Sequence, residues 1–350
     1  MADIYIFIDS DIDFRDLRTG LQRSAVHLLP VLRVIEMKYI KRILKIAGFV
    51  IILSLALAKL NIIFIRKSDV KPWDMINKIA GYFNEDKPYD VIFFGTSHAY
   101  CSFDTEDLAE HGVKSYILAS QKQPLEATYY YIKEAIKRSK PKAIYVDVLD
   151  ALAMNEIDEG SVHTYTDYFP MGINKAMMIK DSLPPEEWAE NVMPLIKYHT
   201  RWRSLEEKDY KAKWKDYHDD LNGFVKLERQ SKEFVKNPEL SKENLDNIAN
   251  ARDKDFREKK YAALKRINDL AKKNGVEVHF IKTPIFTKDV YDENIAALEE
   301  YLNSIGTDFI DFTKAMGEEL GFEDYYDASH LNSEGAKKFT GYFIKNVLNK

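Results

Sequence analysis

From residue 88 onward the chain alternates apolar segments with amphipathic ones, and this alternation constrains its fold more than any other feature. Val91–Phe94 and Ala143–Val148 are apolar and rich in β-branched and aromatic residues, which is typical of buried strands. Leu125–Arg138 lies between them and carries its apolar residues on one side of a predicted helix. Strands that alternate with helices form βαβ units, and their parallel sheet is covered on both faces. The sequence therefore predicts a three-layer α/β/α domain.

The alternation continues towards the carboxyl terminus and is interrupted once. Further strands are predicted at Ser115–Leu118, Val276–Ile281 and Asp308–Phe312, and further helices at Tyr261–Lys273 and Asp292–Ser304. Between about 155 and 260 the pattern changes, and residues 204–260 are dense in Lys, Glu and Asp, which favours solvated helices inserted over the core. We expect this insertion near the mouth of a site, because the crevice of an open α/β sheet lies at the carboxyl ends of its strands.

An almost wholly apolar run, Ile46–Ile65, precedes the domain. About 20 such residues cross a bilayer as a helix, and Lys38, Lys41, Arg42 and Lys45 stand directly before it. Basic flanks stay cytoplasmic, so we predict one N-terminal transmembrane helix with the following domain outside the cell membrane.

Two alternatives to this signal anchor stay open. Ala56–Ala58 resembles the A-x-A cleavage site of a signal peptide, and a buried helix of a soluble protein is also apolar. The predicted organisation is an extension at 1–36 that has no role in the fold, a basic flank and anchor at 37–67, and an extracytoplasmic domain at 68–350.

Charge and cysteine content narrow the function classes. The net charge of −5 argues against general affinity for nucleic acid, which favours a basic surface. The single cysteine, Cys101, excludes an intrachain disulfide. No histidine pairs with another His or Cys at metal-ligand spacing, and no glycine-rich phosphate loop or dinucleotide fingerprint is present, so neither a metal nor a cofactor is predicted.

Two short segments, Phe93–His98 and Asp327–Asn332, together carry the residue types of a serine-nucleophile site. The first places Ser97 just after a predicted strand, and the second places an Asp three residues before a His. A serine hydroxyl attacks well only when a base takes its proton, and a carboxylate holds that base in one tautomer. We predict Ser97 as nucleophile, His330 as general base and Asp327 as its orienting carboxylate.

These segments resemble those of the SGNH (GDSL-type) hydrolase superfamily. The likeness extends to Ala119–Pro124, Tyr129–Tyr131 and Tyr198–Trp202 and covers roughly residues 88–345. It is strongest to the membrane-anchored envelope branch, which includes alginate O-acetyltransferases and the D-alanine transfer protein of teichoic acid synthesis.

The resemblance implies a serine-dependent O-acyltransferase that acts on a cell-envelope or secreted polysaccharide through an acyl-serine. The acceptor would be a polysaccharide or teichoic acid, and a multi-pass membrane O-acyltransferase would be the partner. Three rivals stay open: a carbohydrate acyl esterase, a non-catalytic polysaccharide-binding accessory, and a soluble intracellular protein.

The oxyanion-stabilising residues depart from the pattern of the superfamily. The backbone N–H of Ser97 is the first expected donor. The second segment, Ala119–Gln121, has no glycine, and the third strand runs into Asp147–Asp150 without the usual asparagine. Ser120 or Gln121 is predicted to supply the missing donors.

The remaining candidates are predicted to bind substrate. His98 follows the nucleophile and is expected to line the pocket or contact the acyl donor, with a packing role as the alternative. His199, Arg201, Trp202 and Arg203 combine cations with a ring face, which suits a sugar or an anionic group, although a salt-bridged helix end has the same composition. Cys101 is expected to be buried rather than nucleophilic.

Overall fold

The computed structural model describes residues 14–153, 158–238, 243, 245, 247, 249–250, 252–287 and 289–349, with side chains from residue 37. The chain divides into two units between Leu60 and Asn61, and each unit is described by itself.

The second unit is built on a five-stranded parallel sheet. Its strands are β1 Val91–Gly95, β2 Ser115–Ala119, β3 Ala143–Asp147, β4 Glu277–Lys282 and β5 Phe309–Asp311. The strand order is β2-β1-β3-β4-β5, and every pairing is parallel. All residues of β1, β2 and β3 are buried, which requires cover on both faces of the sheet. The α/β prediction and its parallel sheet are confirmed, with strand ends shifted by one or two residues.

The strand order places a topological switch point beside β1. From β1 the chain moves outward to β2 and then returns to β3 on the other side of β1. The connections on either side of such a point diverge, so that a crevice opens at the carboxyl ends of the strands. Ser97 is the second residue after the end of β1 and therefore lies at this crevice.

The chain contains helices of very different length. The main ones are α1 Phe14–Phe64, α2 Met75–Asn84, α3 Ser97–Ser102, α4 Thr105–Glu110, α5 Leu125–Ser139, α6 Lys254–Asn274, α7 Asp292–Ser304 and α8 Ser333–Phe343. Short helical turns occupy Leu149–Leu152, Phe312–Met316, Phe322–Asp324 and Ile344–Leu348. Helix α6 begins earlier than the apolar pattern indicates, because the Asp253 carboxylate caps it by accepting the Phe256 N–H at 2.7 Å.

Helix α1 contains the predicted anchor. Met37–Phe64 is long and apolar enough to cross a membrane, judged by its length and composition. Residues 14–36 continue the same helix, so the upstream part of the chain is helical from Phe14. The first 13 residues of the predicted extension lie outside the described residues.

The charged insertion differs from its prediction of solvated helices. Its described helices are short, at Glu159–Thr166, Ile173–Ser182, Pro185–Glu187, Trp188–Val192, Pro194–Tyr198, His199–Arg203, Glu207–Lys211, Trp214–Asp216 and Lys232–Lys236. Residues 222–231 are irregular, and Phe224, Val225 and Leu227 within them are buried. A high charge content conceals this segment, because its few apolar side chains have no helical or alternating period.

Candidate active site

Ser97 is positioned by a glycine and a cap. Gly95 ends β1 with a φ of +145°, and a Cβ added there would lie 2.8 Å from the Asp147 Cβ of the neighbouring strand. Only glycine fits this exit, because it has no side chain to meet the adjacent backbone. Thr96 then caps α3, its hydroxyl accepting the His98 N–H at 3.4 Å. Ser97 is the first residue of the helix and is half-buried.

The loop before α8 brings His330 to Ser97 across 233 residues of sequence. His330 Nε2 lies 2.8 Å from Ser97 Oγ. His330 Nδ1 lies 2.9 and 3.0 Å from the two oxygens of Asp327. A carboxylate can only accept here, so Nδ1 carries the proton and Nε2 is left to accept from the serine hydroxyl. The arrangement can remove a proton from Ser97 and stabilise the resulting imidazolium.

Asp327 is held as an anion. Burial by itself would raise the pKa of this carboxyl, but the His330 charge and hydrogen bond outweigh it. The backbone N–H groups of Ser329 and His330 also donate to Asp327 Oδ1, both at 2.9 Å. Together these interactions hold the pKa of Asp327 well below its usual range, so the carboxylate stays charged wherever His330 works as a base.

Acid titration is expected to expose this contribution of Asp327 to stability. A carboxyl whose folded pKa is depressed stabilises the fold above its unfolded pKa of about 3.9, and this stability is lost as the pH falls through the folded pKa. In urea unfolding, Asp327→Asn should therefore be less stable than the parent at pH 7, and the gap should narrow as the pH falls below about 4. A gap that stays constant with pH would contradict the assignment.

Three further side chains of α3, those of His98, Tyr100 and Cys101, follow Ser97 in the chain. The ring of His98 is buried with its centroid 4.7 Å from that of His330. Burial, followed by the His330 charge, lowers the pKa of His98 well below its usual range, so this ring is neutral near pH 7. Burial also raises the pKa of the Cys101 thiol well above its usual value, which disfavours a thiolate nucleophile. Tyr100, not anticipated from the sequence, is buried and interacts with Ser97.

The predicted oxyanion segment follows β2, directly beside the end of β1. The Ser120 side chain is buried, and its hydroxyl donates to Gln123 Oε1 at 3.1 Å, whereas Gln121 is exposed. As the first residue of α3, Ser97 has a backbone N–H without an intrahelical acceptor. The Asp147 carboxylate at the end of β3 is an acceptor of Thr283 N–H and cannot donate to an oxyanion. The second and third donors stay a prediction.

In the predicted cationic and aromatic cluster, Arg201 makes its contacts within the chain. Arg201 Nη1 donates to the carbonyls of Phe64 and Ile65 at 2.6 and 2.7 Å, and Nη2 pairs with Asp209 at 3.3 Å. These carbonyls close the end of α1, where a helix leaves its last acceptors without partners. The guanidinium of Arg201 is therefore occupied within the chain.

The other members of that cluster remain at the surface. His199 is exposed, and its Nδ1 lies 2.7 Å from the Ile196 carbonyl. Trp202 is exposed, with the Arg203 guanidinium 4.7 Å from its ring centre. Their binding of substrate stays a prediction.

An irregular segment of the insertion, residues 222–231, joins the two halves of the site. Val225 N–H donates to the carbonyl of Tyr100, in the nucleophile helix, at 2.8 Å. Ser231 N–H donates to the carbonyl of Tyr326, next to Asp327, at 2.7 Å. Ser333 N–H, three residues after His330, donates to the Leu227 carbonyl, also at 2.7 Å. Sequence reasoning missed this role, and backbone hydrogen bonds leave no motif by which it could be found.

A second Ser-His-Asp constellation lies elsewhere in the domain. Ser68 Oγ is 3.0 Å from His163 Nε2, and His163 Nδ1 bonds to Asp167. The Tyr168 hydroxyl lies 2.8 Å from the same Nε2, and the Tyr198 hydroxyl donates to the same Asp167 oxygen at 2.8 Å. His163 and Asp167 are buried. These shared partners and the burial favour a structural network, and they make Ser68 a natural control for Ser97.

No family model matches the chain, and no curated protein matches it. Solved structures that are similar to it include two bacterial lipases and an acetylxylan esterase. A GDSL-like lipase from Bacteroides thetaiotaomicron is 11% identical, covers 76% of this chain and 90% of its own, and has a TM-score of 0.36. A lipase/acylhydrolase from Enterococcus faecalis is 12% identical over 76% and 96% of the two chains, with a TM-score of 0.32.

The third is a catalytic mutant of an acetylxylan esterase from Geobacillus stearothermophilus. It is 9% identical over 75% of this chain and 95% of its own, with a TM-score of 0.34. All three TM-scores lie below 0.5, and only the geometry around Ser97 bears on function.

Proposed function

We propose that the chain is a serine-dependent O-acyltransferase anchored in the cell membrane by α1, and that its domain acts outside the membrane on an envelope or secreted polysaccharide. The observation that carries the proposal is the 2.8 Å contact between Ser97 Oγ and His330 Nε2, with Asp327 on the opposite nitrogen. The neighbouring His98 ring is buried and neutral, so His330 can gain a proton without charge repulsion from that ring.

The reaction runs in two balanced steps. Ser97 Oγ attacks the acyl carbonyl while its proton passes to His330 Nε2, and the tetrahedral oxyanion collapses as His330 returns the proton to the leaving oxygen. A sugar hydroxyl then gives its proton to His330 and attacks the acyl-serine. His330 passes that proton to Ser97 Oγ as the bond between Oγ and the acyl carbon breaks, which releases free Ser97 and the O-acylated sugar. Ser97 N–H, with Ser120 or Gln121, is assigned to the oxyanion.

The proposed partners follow from the resemblance alone. The acceptor is a polysaccharide or teichoic acid, and a multi-pass membrane O-acyltransferase supplies the acyl group. A carbohydrate acyl esterase is the second candidate, because the same residues release acetate when water replaces the sugar hydroxyl.

Product analysis separates these functions. We expect the full chain in detergent, incubated with p-nitrophenyl acetate and xylohexaose, to form acetylated oligosaccharide through an acyl adduct on Ser97. Acetate as the only product would overturn transfer in favour of the esterase. Nitrophenol release at the background rate without an adduct would overturn both catalytic functions. It would favour the non-catalytic polysaccharide-binding accessory.

A further inference from the structure

A cleft of about 480 Å³ opens beside the loop that carries Asp327 and His330. Pockets that bind small ligands span ~300–1,000 Å³, so the cleft can hold one or two sugar rings. Tyr326 lines the cleft and directly precedes Asp327 in the chain. Its N–H donates to the His330 carbonyl at 2.8 Å. A molecule bound in this cleft therefore contacts the loop that carries Asp327 and His330.

The far wall of the cleft is fixed to the same loop. Lys226, Leu227, Glu228 and Arg229 form this wall. They belong to the irregular segment 222–231, which is hydrogen-bonded through Leu227 to Ser333 at 2.7 Å. The wall is therefore tied to the segment that follows His330, and fixed elements of this kind can position an acceptor.

The cleft has a buried cation that is paired with carboxylates and two exposed cations at its rim. Lys78 is buried at the floor, 3.2 Å from Asp219 and 3.6 Å from Asp74. At the rim, Lys71 and Arg229 are exposed, and neither has an ion pair among the described residues. Their N–H groups are free to donate to ligand oxygens.

An indole ring completes the cleft. Trp73 lines it and is 45% exposed, although tryptophan is usually buried over most of its surface. A flat aromatic face packs against the C–H face of a pyranose ring, while nearby donors bind the ring hydroxyls. Trp73 with Lys71 and Arg229 supplies both parts of that recognition.

We propose that this cleft is the acceptor subsite and binds a saccharide, with a pyranose ring on Trp73 and its oxygens on Lys71 and Arg229. The inference rests on the proposed transferase function and names the site of its acceptor.

A larger cleft does not compete for this role. It has a volume of about 920 Å³ and is lined by Lys133, Lys137, Lys140, Pro141, Asn174, Lys273 and Val276, among others. Pro141 and Val276 precede β3 and β4, so this cleft lies at the amino ends of the strands. An acceptor there is at the edge of the sheet opposite to Ser97.

Direct binding tests the proposal without catalysis. Full-length Ser97→Ala protein in detergent is titrated calorimetrically with xylohexaose and with hexagalacturonate. We expect Trp73→Ala in this background to weaken binding by about 10-fold or more, and Arg229→Ala to weaken it less. A preference for hexagalacturonate that disappears in Arg229→Ala identifies a carboxylate as the partner of this cation, and equal binding of both sugars identifies hydroxyls.

Trp202→Ala is the rival variant, because it removes another exposed tryptophan near an arginine. An equal or greater loss with Trp202→Ala, unchanged affinity with Trp73→Ala, or no binding of either sugar to the parent overturns the proposal. Failure of the proposed catalysis gives a different result, namely no acyl adduct on wild-type Ser97 while sugar binding is retained.

Discussion

Ser97→Ala is expected to abolish the acyl adduct formed with p-nitrophenyl acetate and to lower turnover by at least ~10³-fold. The physical reason is that Ser97 Oγ, 2.8 Å from His330 Nε2, is the hydroxyl that this base can deprotonate. Removal of a triad nucleophile costs nearly as much as removal of the whole triad, because its members act as one unit. Intact mass and nitrophenol release measure the two effects.

Ser68→Ala is the matched control for this experiment. Ser68 has the same kind of histidine and aspartate neighbours, but Tyr168 also lies 2.8 Å from His163 Nε2. We expect Ser68→Ala to keep the adduct and the turnover of the parent. Loss of the adduct in Ser68→Ala, with retention in Ser97→Ala, would show that Ser68 and not Ser97 is the nucleophile.

Gly223→Ala is expected to lower the free energy of unfolding by more than ~2 kcal/mol. Gly223 has a φ of +94°, and a Cβ there would lie 2.0 Å from the Ile117 carbonyl oxygen in β2. The neighbouring Asn222 carbonyl accepts the Ile117 N–H at 2.8 Å. Moving Gly223 away from β2 to make room for a Cβ would therefore also weaken this hydrogen bond. The urea midpoint at constant m-value measures the loss.

Gly112→Ala separates the clash from the backbone conformation. Gly112 also has a positive φ, +80°, but nothing lies within 4 Å of a Cβ added there. Its cost should stay within ~1–2 kcal/mol, the ordinary penalty for a side chain in the left-handed region. Equal losses for the two variants would show that backbone strain alone accounts for the destabilisation, and would contradict tight packing of Gly223 on β2.

The difference between local and distant information is clearest in the insertion. Its lysines and glutamates predict solvated helices, yet Phe224 and Leu227 are buried beside the nucleophile helix and the His330 loop. No periodic pattern marks this segment, since backbone groups make most of its bonds. Arg201 illustrates the same limit, because its guanidinium binds the carbonyls of Phe64 and Ile65, more than 130 residues away in sequence.

Short-range patterns in the sequence determined the parallel α/β architecture, the apolar span within α1, and the grouping of Ser97 with His330 and Asp327 as candidates. These features depend on the periodicity of strands and helices and on the spacing of residues within short segments. A serine nucleophile with a histidine base and a carboxylate also needs particular residue types, which are visible in the sequence. Only the tertiary structure decided that Ser97 Oγ and His330 Nε2 are 2.8 Å apart, that a second serine shares its histidine with a tyrosine, and that Trp73 lines a cleft beside Tyr326. Those facts depend on which distant segments pack together, and packing is set by the whole core rather than by any one stretch of chain.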